Sequence, residues 1–192
     1  DDLQLDYHIY YRVLNSKYFD IPQNRKRIFI IGIRKDLIHN FQFPEGKKTR
    51  KRIKDILEND VEHKYYLSQK TLNMFLKKNE KHTWEGKGFL FFPKKENQIA
   101  NTITTKAGGR ATDNFILTKK EPKNKVDNFN YAKYDNLYLR KLTPRECFRL
   151  MGFSDKFIIN KSDSQAFKQA GNSIVVNVLE SILKKIIPII TE

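Results

Sequence analysis

Gln23, Arg25 and Arg27 stand two apart at the mouth of the apolar run Ile28-Phe-Ile-Ile-Gly-Ile33. On an extended chain that spacing can project all three to one side. A guanidinium stays charged and holds its donors in a fixed fork, which suits an oxygen gaining negative charge in a reaction. Basic residues flanking a buried strand are the plainer account of the same trio. A second candidate is Asn172-Ser173, at the head of the apolar stretch that closes the chain. Exposed N–H groups and a small polar side chain at a helix N-terminus suit an anionic carboxylate. An ordinary Asn/Ser cap explains the pair equally well. The only cysteine, Cys147, lies on a predicted helix face with nothing but distant basic residues to depress its pKa, so it reads as a buried structural thiol rather than a nucleophile. The four His residues lack metal-ligand spacing. Neither glycine cluster, Gly86/Gly88 or Gly108-Gly109, fits a Walker A loop or a dinucleotide fingerprint.

Composition narrows the partners. With 192 residues, the chain can hold one ordinary domain, or a small domain and part of another. An apolar fraction of 39% with 14 Phe and 9 Tyr supports a packed core rather than disorder. The net charge of +15 favours a polyanionic partner, although a Lys-rich proteome with a merely solvated surface gives the same figure. One cysteine excludes an internal disulfide framework and points to a reducing compartment. Without a signal peptide or a membrane-length apolar run, a soluble, intracellular protein with no membrane partner is expected. The chain opens at Asp1 rather than Met, as a piece of a longer protein would.

The elements that must position these residues can be read in order. Residues 7–14 and 27–34 read as two strands, antiparallel because they lie so close in sequence, with the second apolar enough for burial on both faces. Six basic residues among the eight from Lys47 to Lys54 lead into Ile53, Ile56 and Leu57 at helical spacing, predicting an amphipathic helix. Phosphate contact and a solvated loop are equal readings of that basic run. Ser68 can cap a helix carrying Leu72, Phe75 and Leu76 on one face. From Trp84 to Leu117, Thr and Ile alternate with glycine punctuation, predicting twisted β-structure. Residues 119–135 read as a linker or long loop.

The best-written element is Arg140-Lys-Leu-Thr-Pro-Arg-Glu-Cys-Phe-Arg-Leu-Met-Gly-Phe153. Thr143 is its N-cap, Pro144 its first helical residue and Glu146 the returning arm of a capping box, with Leu142 and Cys147 as a hydrophobic staple. Gly152 ends it in the left-handed conformation. Ser164 can then cap a short helix ended by Gly171, and Asn172-Ser173 opens the last one, which Pro188 stops or kinks.

This stretch closely resembles the ninth sequence block of the DNA cytosine-5 methyltransferases. Ile21-Pro-Gln-Asn-Arg-Lys-Arg-Ile28 resembles the eighth block, Pro-Gln-x-Arg-x-Arg, and Gln169-Ala-Gly-Asn-Ser-Ile-Val-Val176 is similar to the tenth. Three blocks in the right order make a strong signal. The resemblance covers essentially the whole chain but only the carboxy-terminal part of the family's pattern. The glycine-rich Phe-x-Gly-x-Gly loop, the Pro-Cys nucleophile and the Glu-Asn-Val block are missing.

The resemblance implies an α+β fold. Residues 1–36 would form the β-hairpin at the edge of a Rossmann-like catalytic domain. Residues 37–139 would form a small β-rich target-recognition domain, and 140–192 returning helices that complete the catalytic and cofactor domain. It implies transfer of a methyl group from S-adenosyl-L-methionine to C5 of a flipped cytosine in double-stranded DNA. Arg27 would face the pyrimidine O2, with Arg25 beside it near the flipped nucleotide and its backbone, and Gln23 supporting the active-site loop or base. Asn172 and Ser173 would contact the cofactor. Lys87 and the stretch Lys106 to Thr112, especially Arg110, would read base edges in the major groove; ordinary turn glycines and surface bases are the other reading. Arg140, Arg145, Glu146 and Arg149 are expected to organise the join between the two domains.

The same resemblance implies a partner, the amino-terminal half of the enzyme, whether encoded with this chain or as a separate subunit. The chain alone is expected to be inactive. The implied setting is bacterial restriction–modification, in the cytoplasm at the nucleoid. A basic DNA-binding module without catalysis and a charge-driven nonspecific binder of RNA or DNA are the competing readings.

Overall fold

A computed structural model describes residues 6–37, 40–84, 90–107, 114–160 and 162–191. Its first unit is the expected antiparallel hairpin, with β1 (Tyr7–Asn15) paired to β3 (Lys26–Arg34) and Leu14 opposite Arg27. Asn15 closes the turn between them. Its Oδ1 accepts from the Lys17 and Arg25 amides at 3.3 and 3.1 Å, and its Nδ2 donates to the Asn24 side chain. A two-residue strand, β2 (Gln23–Asn24), lies inside this connection.

The expectation that the second strand is buried on both faces does not hold. Leu14 and Ile33 sit in or against the core on one face, together with the half-buried Phe29 and Ile31. The opposite face carries Tyr11 at 74% exposure, Val13 at 60%, Ile28 at 59% and Ile30 at 64%. No described element covers it.

The basic run also differs from expectation. Ile53 and Ile56 are buried, but they stand on a single 3₁₀ turn, Ile53–Asp55, rather than an amphipathic helix. The Ile53 and Lys54 amides donate to the Gln98 and Glu96 carbonyls at 2.9 and 2.8 Å, so the backbone is spent on a neighbouring segment before a helix can propagate.

A second packed unit follows. Helix α1 (Gln69–Trp84) begins after Ser68, whose Oγ accepts from the Thr71 amide. It buries Leu72 and Phe75 against Phe91, Phe115, Leu117, Ala132 and Leu139. The facing sheet has four strands in the order β4 (Lys94–Lys95), β6 (Phe115–Thr118), β8 (Leu137–Lys141), β7 (Lys133–Tyr134); β4 and β6 are parallel and the other pairs antiparallel. The glycine-punctuated stretch thus yields short strands, as expected, but the predicted linker contains β7. The β7–β8 turn is made by Asp135 and Asn136, both at positive φ (51° and 61°), the conformation a tight two-residue hairpin needs. A separate pair, β5 (Ala100–Asn101) with β2, is parallel and ties this unit back to the hairpin connection.

Helix α2 (Pro144–Leu150) is built as its sequence specifies. Thr143 Oγ1 accepts from the Glu146 amide at 3.2 Å, and Glu146 Oε2 accepts from the Thr143 amide at 2.9 Å. At the other end Gly152 has φ +83°, with Phe153 N donating to Phe148 O and Gly152 N to Arg149 O. The Phe148 and Phe153 rings close the motif at 5.3 Å.

Helix α3 (Asp163–Asn172) starts one residue after Ser162, not after Ser164, and runs through Gly171. Helix α4 (Val176–Thr191) begins later than expected and continues past Pro188. Its first amide, Val176 N, donates to Met151 O at 2.9 Å, seating it on the end of α2. The main core joins α2, α3, α4, the inner hairpin face and the segments around Ile53, Val61 and Ile103. Among the described residues, no helix is long and apolar enough to cross a membrane.

Candidate active site at the hairpin mouth

Gln23 is fully buried. Its Nε2 donates to Leu150 O at 2.8 Å, at the end of α2, and its Oε1 accepts from the Ile103 amide at 2.9 Å. Arg25, at 6% exposure, reaches the same residue from the other side. Its Nη1 donates to Ile103 O at 3.0 Å, and its Nη2 to Gly171 O at 3.0 Å and Ser173 O at 3.2 Å. Burial, and then the charge of Arg27, pushes the Arg25 pKa down to about 10, so the group is still protonated at neutral pH.

Arg27 is exposed, and its Nη1 donates to the carbonyl of neighbouring Lys26 at 2.7 Å. It lines an open cavity of about 360 Å³ with Arg25, Asn172 and Ser173. The cavity's apolar wall comes from the hairpin residues Ile28 and Ile30 and from Ile174 and Val178. Residues almost 150 positions apart in sequence therefore share one space. The sequence spacing placed Gln23, Arg25 and Arg27 on one side; in the structure Gln23 and Arg25 converge on Ile103, and Arg25 and Arg27 share the cavity.

Asn172-Ser173 does not open a helix as expected. Asn172 is the last residue of α3 and Ser173 its C-cap, so the pair lies at a carbonyl end rather than at an N-terminus. Ser173 Oγ donates to Ala170 O at 2.8 Å, and Ser173 O is taken by Arg25. The Asn172 carboxamide is exposed in the cavity and can still donate to an anion.

At the start of α2, Arg140 and Glu146 form a bidentate ion pair at 2.8 and 2.7 Å, with 1% and 0% side-chain exposure. Burial works against the Arg140 charge, but the hydrogen bonds and charge of Glu146 outweigh it and raise its pKa. Glu146 also accepts from the Glu58 amide at 2.9 Å, and Thr143 Oγ1 donates to the Glu58 carboxylate. Arg145 donates to Phe157 O at 2.8 Å; Arg149 donates to Ile56 O and holds Asp155 with both ends of its fork. Cys147, on the inner face of α2, is fully buried.

Of the candidates for reading DNA, Lys106 is exposed, just beyond the Thr104 and Thr105 backbone that rests on α3. Lys87, Arg110 and Thr112 lie outside the described residues. In the basic run, Lys47, Lys48 and Arg50 are exposed, and Lys51 pairs with Asp20 at 2.6 Å. Among the described residues, no group of three or more His, Cys, Asp or Glu side chains could hold a metal ion. Sequence reasoning missed Ile103, whose backbone takes both Gln23 and Arg25, and the close approach at Gly171. A glycine inside a helical pattern was the available signal for the latter.

Residues 3–188 match the family described as C-5 cytosine-specific DNA methylase. The chain is 38% identical to the type II methyltransferase M.SsoII of Shigella sonnei, over 96% of this chain and 45% of that protein. It is 35% identical to the type II methyltransferase M.HpaII of Haemophilus parainfluenzae, over 91% of this chain and 49% of that protein. The chain thus spans about half the length of these curated relatives. In fold it is similar to the Entamoeba histolytica methyltransferase EhMeth, with a TM-score of 0.69 at 20% identity, covering 99% of this chain and 56% of the other.

Proposed function

The chain belongs to the C-5 cytosine-specific DNA methylases, and from that premise we propose that it is the carboxy-terminal part of a DNA cytosine-5 methyltransferase. One observation carries the reading: Arg25 and Arg27 of the Pro-Gln-x-Arg-x-Arg stretch share a cavity with Asn172 and Ser173 of the final block. The cavity is half a site, with guanidinium donors, an exposed carboxamide and an apolar wall. The activity requires a thiolate to attack cytosine C6, and buried Cys147 cannot supply it. The amino-terminal half of the enzyme, as part of the same polypeptide or as a separate subunit, brings that group.

In this reading Arg27 donates to the O2 of the flipped cytosine, where negative charge develops as C6 is attacked. Its exposure, with one hydrogen bond to a neighbouring carbonyl, leaves the fork free to turn toward a base. Arg25 stands behind it near the nucleotide, and Gln23 supports the loop. S-adenosyl-L-methionine, when bound, supplies the electrophilic methyl group. The exposed Asn172 carboxamide suits its carboxylate, and Ile28, Ile30 and Ile174 offer it an apolar wall. The unit around α1 and the four-stranded sheet is the target-recognition domain, with Lys87, Lys106, Arg110 and Thr112 its base- or backbone-contacting candidates on double-stranded DNA. The +15 charge and exposed Lys47, Lys48 and Arg50 suit the phosphate backbone. The setting is bacterial restriction–modification, in the cytoplasm.

Arg27→Ala tests the assignment. With the amino-terminal blocks supplied, the variant should transfer methyl groups at least about 100-fold more slowly, the loss typical of one oxyanion donor. Undiminished transfer would refute the role given to Arg27. Tight DNA binding without methyl transfer under any complementation would favour a non-catalytic binding module instead.

A further inference from the structure

Ile103 is 3% exposed and belongs to no strand, since β5 ends at Asn101. Its buried amide and carbonyl need partners, and both are side chains from one short stretch: Gln23 Oε1 takes the N–H at 2.9 Å and Arg25 Nη1 fills the C=O at 3.0 Å. We propose that Gln23 and Arg25 are positioning residues, a two-sided latch that fixes residues 100–105 to the hairpin, to α2 and to the end of α3.

Several further contacts bear on the same segment. Ala100 N donates to Pro22 O at 2.8 Å and Thr102 Oγ1 to Asn24 O at 2.8 Å. Gly171 has no side chain where Thr104 crosses; a Cβ there would come within 2.6 Å of the Thr104 carbonyl oxygen. The far arms of the latch, from Gln23 to Leu150 O and from Arg25 to Gly171 O and Ser173 O, transmit the position of α2 and α3 to this segment. Arg25 already serves three carbonyls from a buried position, so its part is to place other groups, while exposed Arg27 is left to meet a substrate. In the methyltransferase reading, on which the purpose of the latch rests, it sets where Lys106 stands relative to the Arg27 cavity. The latch itself is a property of the fold.

Amide hydrogen exchange on the whole chain tests it without reference to activity. In Gln23→Ala, exchange across residues 100–107 should accelerate about tenfold or more, while β6 and β8 stay within about twofold of the parent. Arg25→Lys, which keeps the charge and loses the fork, should give the same local pattern should Gln23→Ala fail to fold. No change at 100–107, or a uniform rise everywhere, would overturn the latch. With the amino-terminal blocks supplied, Arg25→Lys should raise the KM for DNA about tenfold and change kcat less than about threefold. A fall in kcat at unchanged KM would place Arg25 on the reacting base and overturn the proposal. A local exchange response in a protein that never transfers methyl groups would support the latch and count against the methyltransferase reading.

Discussion

Arg140 and Glu146 face each other with two parallel hydrogen bonds, 2.8 and 2.7 Å, at 1% and 0% exposure. The pair joins β8 to the first turn of α2, and Glu146 also caps the helix and accepts from the Glu58 amide. Removing one partner leaves a buried charge uncompensated. Arg140→Ala should therefore lower unfolding stability by about 3–5 kcal/mol in a denaturant titration. Arg140→Met combined with Glu146→Leu should recover part of that loss, though not the Thr143 cap. A loss below about 1 kcal/mol would show that the pair is solvated in solution.

Gly152 carries the turn that ends α2. At φ +83° a side chain is strained, and Gly152→Ala should cost about 1–2 kcal/mol. Thermal unfolding of the variant checks this, and an unchanged midpoint would contradict the left-handed cap.

The Arg149–Asp155 pair gives a pH signature. Hydrogen bonding from Arg149, opposed by some burial and aided by the guanidinium charge, holds the Asp155 carboxyl below its ordinary 3.8. A carboxyl lowered in the folded state stabilises the fold above its unfolded value, and the contribution fades as pH falls through the lower folded value. A carbon-detected NMR titration should place Asp155 below 3.8, and Arg149→Ala should raise it toward that value, with the Arg145 charge still nearby.

The open hairpin face predicts association behaviour. Tyr11, Val13, Ile28 and Ile30 form an exposed apolar patch. Ile28→Thr with Ile30→Thr should reduce self-association seen by light scattering and, in the methyltransferase reading proposed above, weaken assembly with an amino-terminal half. Stability of the chain alone should change by less than about 1 kcal/mol, because both side chains are already solvated. Strong destabilisation would mean that the face is packed in solution.

Local grammar was legible wherever a motif closes on itself. The α2 helix could be read from Thr143, Pro144, Glu146 and Gly152 because every partner lies within nine residues. The hairpin could be read from two apolar runs, but not its half-open state, since covering a face depends on chain elsewhere. The periodicity of Ile53, Ile56 and Leu57 misled because amide bonds to Glu96 and Gln98 override helical spacing. The β7–β8 turn has its local signal in Asp135-Asn136, but it sits in a polar stretch whose composition reads as a linker. At the site, the sequence supplied the residues and their blocks. The convergence of Gln23 and Arg25 on Ile103, 80 and 78 positions away, is tertiary and left no local mark. Asn172-Ser173 had the composition of a helix start, yet the unbroken run of α3 through Gly171 makes it a helix end.

The most direct test of the central claim is labelled methyl transfer from S-adenosyl-L-methionine to cytosine-containing duplex DNA, comparing this chain alone with the chain mixed with an amino-terminal half that carries the cysteine nucleophile and glycine-rich loop. Silence from the chain alone, transfer to cytosine in the mixture, and loss of that transfer with Arg27→Ala are the expected results. Robust turnover by the chain alone, or silence in the mixture while DNA binding is intact, would contradict the claim.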